Sequence, residues 1–214
     1  MPARSTGKRV SSGSHRSSRR SAPKSQPDGL RMLKQDHNEV EELFRKFDRA
    51  GDKAYKTKAK IVRQIIEDLS KHAAIEEQIF YPAVRELVGD DAEVFEALEE
   101  HHIVKWVLSE LDGMDPQDER FDAKVTVLKE NVLHHAKEEE REMFPQVRKA
   151  LSPADLRDLG ERMEKAKKVA PTHPHPRSPD EPPGNIVAGL AASAIDHGRD
   201  IVRDVMGKGE GASA

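Results

Sequence analysis

Four histidines occupy positions in this sequence where helical spacing calls for apolar core residues. They are His37, His72, His101 and His135. His37, for example, fills the one gap in the apolar stripe formed by Leu33, Val40 and Phe44. Residues three and four positions apart share one face of a helix, so each imidazole is expected to point into the core.

Two of these histidines are followed four residues later by a glutamate. His72 is paired in this way with Glu76, and His135 with Glu139. Positions i and i+4 project from the same side of a helix, so each pair offers an imidazole and a carboxylate to one point. The two side-chain types together form a ligand set for a metal ion.

The two pairs lie in a duplicated segment. Residues 72–82 (HAAIEEQIFYP) and 135–145 (HAKEEEREMFP) match in His, Ala, Glu, aromatic residue and Pro at the same offsets. Pro82 and Pro145 are expected to kink their helices just beyond the carboxylates. The repeat predicts that two different helices present the same chemistry.

The histidine spacing also predicts where these groups meet. His37 and His72 are 35 residues apart, and His101 and His135 are 34 residues apart, so each helical hairpin returns its second histidine to the level of its first. Two such hairpins face each other around a common centre. Burying the charged groups there without partners would cost several kcal/mol each. A metal cluster satisfies them all together, and without cysteine it must be built from His, Asp and Glu.

Two of the candidate ligands have a histidine neighbour, so a choice is required. The apolar residues after His101 fall at the same offsets as those in the first helix, whereas those after His102 do not. His135 is preferred over His134 because it matches His72 in the duplicated segment. His102 and His134 are therefore expected at the surface or behind a ligand.

Other potential metal-binding groups fit less well. A ferritin-like site requires two E-x-x-H motifs, and one alone is present, beginning at Glu99. His173 and His175 form an H-x-H in a proline-rich stretch, where we expect no more than binding of a stray divalent ion. Asp36 and Glu100 each precede a candidate ligand and are expected to be solvated.

The pattern H…HxxxE…H…HxxxE over about residues 30–150 resembles that of the hemerythrin-like (HHE cation-binding) domain family. The resemblance implies a four-helix bundle around a non-haem centre of two iron ions, with Glu76 and Glu139 as bridges. The implied ligands are His37, His72, Glu76, His101, His135 and Glu139. Two octahedral ions offer roughly twelve positions, of which about two remain open for dioxygen, peroxide or nitric oxide.

One position departs from the family pattern. Oxygen-carrying hemerythrins place a second histidine one turn after that of the third helix, where this chain has Lys105. The resemblance therefore does not imply reversible oxygen carriage. Three functions stay open: binding of oxygen or a related ligand for sensing, storage or iron and redox homeostasis; disproportionation of hydrogen peroxide; and a structural module stapled by metal. Whether the protein is an enzyme is left undecided.

The elements that must position these residues are helices. Apolar residues recur at three- and four-residue steps, and no stretch alternates long enough to form a strand. Four long helices are expected, the first three ending near Gly51, Gly89 and Gly113, and a shorter fifth begins at Ser152 and Pro153. The predicted fold is all-α, an up-down-up-down four-helix bundle with a short fifth helix and flexible tails, the bundle spanning residues 30–170.

The chain outside the bundle divides into three parts. Residues 1–29 carry seven basic residues against one aspartate and are expected to be a disordered basic tail. Residues 171–183 form a proline-rich linker, expected to be extended. The whole chain has a net charge of −3, so nucleic acid is not expected as a partner, although the basic tail is a hint of it.

The last part, residues 184–214, is an amphipathic segment. Its apolar face over 184–206 consists of Val187, Leu190, Ala191, Ala194, Ile195, Val202, Val205 and Met206. Its polar face mixes acidic and basic residues, unlike the basic face of helices that lie on membranes. We expect a helix that forms on docking, to its own bundle or to a protein partner, including self-association. No apolar run approaches the ~20 residues that span a bilayer, and no secretory signal is evident; the cytoplasm is the expected location.

Overall fold

The computed structural model describes residues 28–89 and 91–210, with Val88 and residues 201–210 as backbone only. The predicted basic tail, apart from Asp28 and Gly29, lies outside the described residues. The helices are α1 (Gly29–Arg49), α2 (Tyr55–Ile75), α3 (Tyr81–Val88), α4 (Asp91–Leu111), α5 (Phe121–Glu138), α6 (Phe144–Ala150), α7 (Pro153–Lys167) and α8 (Gly184–Glu210). Single π turns, Glu76–Phe80 and Glu139–Met143, join α2 to α3 and α5 to α6.

The predicted four-helix bundle is confirmed. Its four rods are α1, α2 continued by α3, α4, and α5 continued by α6, with α1 packed against α2 and α4 against α5. Helix ends follow local signals: the Asp28 side chain accepts a hydrogen bond from the backbone N–H of Arg31, and Gly89 ends α3 with φ of 71°. Ser152 and Asp155 form a reciprocal capping box at the start of the predicted fifth helix, α7.

The two π turns occur at matching places in the duplicated segment, directly before Pro82 and Pro145. A proline lacks the N–H that an α-helix needs at that position, and its ring would clash with the carbonyl four residues earlier. A wider turn relieves that clash and keeps the rod continuous. Each π turn begins at a candidate ligand, Glu76 or Glu139, so the change of geometry falls at the level of the site.

The apolar core is divided into two clusters. One contains Phe80, Tyr81 and Phe144 from the region of the π turns, together with the start of α1 and part of α7. The other contains Phe44 and Phe121 and fills the opposite end of the bundle. The candidate metal-binding residues belong to neither cluster, and they form a polar layer within an otherwise apolar interior.

The segment after α7 is held against the bundle. We call residues 171–200 the C-terminal strap; within it, Thr172 and His173 are buried, and the His173 ring contacts Asp112 at the end of α4 and Asp200 of α8. Asn185 Nδ2 donates to the backbone carbonyl of Glu77. The strap therefore follows the groove between the first π turn and α4.

The strap helix α8 docks on its own bundle, but not through the face that its apolar residues define. Asp196 is fully buried and accepts hydrogen bonds from the backbone N–H of His173 and from the ring of His175. Val187 and Ile195, by contrast, are 69% and 63% exposed. Buried carboxylate contacts outweigh amphipathic patterning here, and the part of the apolar stripe between Val187 and Ile195 is left on the surface. None of the helices in the described residues has the length and hydropathy required to cross a bilayer.

The close approach of α1 and α7 generates a stability prediction. A Cβ atom at Gly29 would lie 3.0 Å from Leu159 Cγ and 3.3 Å from Met163 Sδ. Gly29→Val is expected to lower the free energy of unfolding by about 1–3 kcal/mol through overpacking, measured by urea denaturation. The control is Gly51→Ala, where nothing lies within 4 Å and the change should be within about 0.5 kcal/mol. Equal effects would contradict tight packing of α7 against α1.

Candidate metal centre

The structure brings the six sequence-predicted site residues together. Their ring nitrogens and carboxylate oxygens form two groups, and within each group the atoms lie within 4.8 Å of one another. The first group is His37, His72, Glu76 and Glu139, and the second is Glu76, His101 and His135. All six side chains are buried, and Glu76, shared by both groups, is fully inaccessible to solvent.

Distances in the first group match those between neighbouring ligands of one ion. His72 Nε2 lies 3.1 Å from Glu76 Oε2, and His37 Nε2 lies 3.3 Å from Glu139 Oε2. Ligands about 2.1 Å from an ion and at right angles to each other are about 3.0 Å apart. The four side chains therefore leave a position for a metal ion with ordinary bond lengths.

The second group has the same dimensions. His101 Nε2 lies 3.3 Å from Glu76 Oε2 and 3.1 Å from His135 Nε2. Two imidazole nitrogens at this separation need a proton or a cation between or beside them. The short nitrogen–nitrogen distance fits two ligands of one ion.

Several of these atoms have no hydrogen-bond partner in the described residues. They are His37 Nε2, both carboxylate oxygens of Glu76, and Glu139 Oε2. A buried polar atom without a partner costs about 1–3 kcal/mol, and more if it is charged. Their concentration at one place fits a centre completed by cations. These residues therefore suit a metal cluster.

A carboxylate holds the outer nitrogen of the second histidine in each hairpin. Asp36 Oδ2 lies 3.4 Å from His72 Nδ1, and Glu100 Oε2 lies 2.7 Å from His135 Nδ1. The expectation that Asp36 and Glu100 are solvated is therefore wrong. Asp36 is buried and also accepts a hydrogen bond from Lys167 of α7. This fifth helix was predicted from the sequence but was not connected with the site. Its lysine supplies the charge that makes the burial of Asp36 tolerable.

The first histidine in each hairpin is held by a carboxylate from the opposite hairpin. Glu140 Oε1 lies 3.1 Å from His37 Nδ1, and Glu77 Oε1 lies 3.0 Å from His101 Nδ1. Glu77 and Glu140 are equivalent positions of the duplicated segment, each directly after a candidate ligand. All four imidazoles therefore have Nδ1 facing a carboxylate, the arrangement that fixes the ring and leaves Nε2 free to bind metal.

Lys105 points away from the centre. Its ammonium lies 2.9 Å from Glu77 Oε1 and 2.6 Å from Asp180 of the C-terminal strap. Burial would lower the pKa of Lys105, but these two carboxylates outweigh burial and raise it. The lysine thus stays charged and supports Glu77 behind His101, instead of pointing into the centre.

Tyr81 is a site residue that the sequence argument missed. Its hydroxyl oxygen lies 3.1 Å from His101 Nε2, 3.4 Å from His135 Nε2 and 3.0 Å from Glu139 Oε1, to which it donates. The signal was present in the duplicated segment, because the equivalent residue of the second copy is Phe144. The hydroxyl is the chemical difference between the two copies at this position.

Without a bound cation, the carboxylates of the site raise the pKa values of two histidines, His72 and His101. Burial would lower the pKa of His72, but Glu76 and Asp36 outweigh it and raise that pKa to about 10. The pKa of His101 is raised to about 9, because Glu76 and Glu77 likewise overcome burial. Burial, and then the charge of Glu139, raise the pKa of Tyr81 well above its usual value. Protons thus occupy the places that cations would take.

Two cavities reach the site from different sides. One, of about 30 Å³, is mostly apolar and is bordered by all four candidate histidines together with Val104 and Val132. The other, of about 70 Å³, lies between α4 and α5 and its continuation, and it ends at His135 and Glu139. The first has room for about one small molecule.

The remaining histidines lie outside the centre. His102 is exposed, and His134 is 63% exposed, as expected of the neighbours that the spacing argument rejected. His173 and His175 contact aspartates of α4 and α8 within the C-terminal strap. They are not among the groups of described residues whose ligand atoms converge on one point.

Comparison with known proteins places this geometry in a family. Residues 28–147 match the family model of the hemerythrin HHE cation-binding domain. An uncharacterised hemerythrin-like protein of Schizosaccharomyces pombe is 30% identical over 169 residues, which is 78% of this chain and 82% of that protein.

Two further proteins are similar to this chain. A DNA nickase of Nostoc sp. is 30% identical over 121 residues, which cover 56% of this chain but only 34% of the nickase. The crystal structure of a hemerythrin HHE cation-binding domain-containing protein from Mycobacterium kansasii aligns with a TM-score of 0.56 and 26% identity, over 66% of this chain and 88% of that one. The chain therefore belongs to the hemerythrin HHE cation-binding domain family and is a metal-binding protein.

Proposed function

We propose that the chain is a non-haem di-iron protein that binds dioxygen or a related small ligand, such as peroxide or nitric oxide, for sensing, storage or iron and redox homeostasis. The observation that carries this proposal is the buried layer in which all four Nε2 atoms and both glutamates converge on two adjacent positions. Its ligands would be His37, His72, Glu76, His101, His135 and Glu139, with the two glutamates as bridges. Two ions placed there would supply redox chemistry and a position for the small ligand.

Iron is favoured by the donor set. Imidazole suits zinc, copper, iron and nickel, while bridging carboxylates move the preference toward harder ions. Thiolate ligands are absent, because the sequence contains no cysteine. The mixture of four imidazoles and two carboxylates therefore fits a pair of irons better than a softer metal.

The apolar cavity supports a small, weakly polar ligand. It borders all four candidate histidines and is walled by Val104, Val132 and Ala136. An apolar wall keeps out charged solutes, since an unpaired buried charge is costly. Dioxygen and nitric oxide meet this condition because neither carries charge.

Tyr81 extends the proposed ligand set. Its hydroxyl is 3.0–3.4 Å from three donor atoms of the second position, the spacing of neighbouring ligands of one ion. We infer that Tyr81 completes that position. The position would otherwise stay open, because this chain has Lys105 where oxygen-carrying hemerythrins have a second histidine. A bound cation would lower the pKa of the Tyr81 hydroxyl, so the phenol would release its proton on metal binding.

The same tyrosine favours a second candidate function, disproportionation of hydrogen peroxide. An anionic phenolate stabilises a ferric ion, and tyrosine is the protein ligand of haem iron in catalase. Reversible oxygen carriage needs a persistent ferrous state, which such a ligand disfavours. Without a bound cation, the Tyr81 hydroxyl keeps its proton and donates a hydrogen bond to Glu139 Oε1.

The first prediction concerns the ligands. Purified protein is expected to hold about two irons per chain, and His72→Ala or Glu139→Ala should lose most of that iron, measured by elemental analysis after desalting. His102→Ala, which changes an exposed neighbour of a ligand, should retain it. Full iron content in both ligand variants would contradict the assignment.

A second prediction isolates Tyr81. The ferric protein is expected to show a visible phenolate-to-iron charge-transfer band that Tyr81→Phe lacks while keeping its iron. Oxygen release from added peroxide should also fall in this variant, because the ferric state loses its anionic phenolate ligand. Phe144→Tyr, the reverse change at the equivalent position, serves as a comparison. An unchanged spectrum in Tyr81→Phe would remove the tyrosine from the ligand set.

A third prediction concerns pH. His72 and His101 have raised pKa values in the metal-free fold, so their contribution to stability is complete below pH 6.5 and is lost as the pH rises toward 9 and 10. The melting temperature of metal-free protein should therefore fall by at least a few degrees between these limits. Iron-loaded protein, whose ligands are already deprotonated, should not show this fall. A metal-free melting temperature that rises with pH would contradict it.

A further inference from the structure

A third group of potential metal ligands, formed by Glu100, His134 and Glu138, lies at the surface beside the candidate centre. His134 Nε2 is 3.2 Å from Glu138 Oε1 and 3.9 Å from Glu100 Oε1. One ligand atom from each of these three residues lies within 4.8 Å of the others. An imidazole with two carboxylates suits a divalent first-row cation and leaves positions for water.

This group is connected to the interior by the larger cavity. The cavity wall carries six glutamates: Glu93, Glu96, Glu100, Glu138, Glu139 and Glu142. No lysine or arginine is among its described lining residues. A cleft lined by one sign of charge raises the local concentration of counter-ions and their association rate.

The inner end of the cavity reaches two of the candidate ligands, His135 and Glu139. Glu139 Oε2 is buried and has no hydrogen-bond partner in the described residues, and Glu139 forms part of the cavity wall. Glu100 joins the two ends: its Oε2 lies 2.7 Å from His135 Nδ1, while its Oε1 faces His134. A cation at the surface group is thus separated from the centre by one shared carboxylate and one ring.

The duplicated segment shows that this group is particular to one hairpin. His134 and Glu138 precede His135 and Glu139 by one residue each and repeat the i, i+4 spacing on the outer face of α5. In the other copy the corresponding residues are Lys71 and Ile75, and Lys71 pairs with Glu67. The structure of that hairpin therefore lacks an equivalent group among its described residues.

We propose that Glu100, His134 and Glu138 form an uptake site for a divalent cation, ferrous iron in particular, from which the cation passes along the acidic cavity to the candidate metal centre. The inference rests on the proposed function. It assigns the surface site a kinetic role, because ions are captured there but are stored inside, where more ligands are available.

The test measures iron uptake separately from iron content. Metal-free full-length protein receives ferrous iron without oxygen, unincorporated iron is trapped with ferrozine at intervals, and protein-bound iron is counted after desalting. His134→Ala and Glu138→Gln are expected to take up iron about tenfold more slowly and to reach the same final content as the unaltered chain. His102→Ala and Glu99→Gln, which remove an exposed histidine and an exposed charge outside the cavity lining, should load at the unaltered rate.

A second measurement keeps the proposal independent of the centre itself. Manganese(II) titrated into the protein and followed by electron paramagnetic resonance should show one weak site that His134→Ala lacks and His102→Ala retains. Unchanged uptake rates in both site variants, or an unchanged manganese titration in His134→Ala, would overturn the uptake site. A chain that takes up no iron at all would instead overturn the proposed function, and the manganese titration would still decide the surface site.

Discussion

Four imidazoles and two carboxylates can share the middle of an apolar bundle only if every one of them is paired, because an isolated buried charge costs many kcal/mol. The bundle meets this constraint because each imidazole has a carboxylate partner on its outer side. Each Nδ1 faces a carboxylate, and each Nε2 is directed inward. The apolar clusters on either side of this layer then hold the helices at the separation the layer requires.

The outer partners follow the internal duplication. In both hairpins, the residue before the first histidine (Asp36 or Glu100) holds the second histidine of the same hairpin, and the residue after the glutamate (Glu77 or Glu140) holds a histidine of the other hairpin. Each hairpin therefore orients a histidine of the other. Asymmetry enters at three places: Tyr81 opposite Phe144, Lys105 behind Glu77, and the exposed pair His134 and Glu138. These differences give the two groups of candidate ligands different surroundings.

Sequence reasoning located the inward histidines and glutamates because helical period and duplication are local signals. It could not place Asp36, since only the tertiary packing of Lys167 against it makes the burial of that carboxylate tolerable. Tyr81 was overlooked because a tyrosine in an apolar run ordinarily signals core, and its hydroxyl partners come from α4 and α5. For α8, hydropathy alone misjudged the buried face, because the contacts of Asp196 with residues 173 and 175 lie outside the helix.

The two π turns also affect how the rods tolerate changes in length. An α-helix advances by 3.6 residues per turn, so each residue added to or removed from a regular rod rotates everything beyond it by about 100°. A π turn holds one residue more than an α-helical turn, so deleting one residue from Glu76–Phe80 would convert it to an ordinary turn with little of that rotation. Tyr81 would then keep its orientation relative to His72, whereas a deletion in α2 before His72 would rotate both residues away from their partners. The π turns are therefore the places in these two rods where the loss of one residue can be absorbed locally.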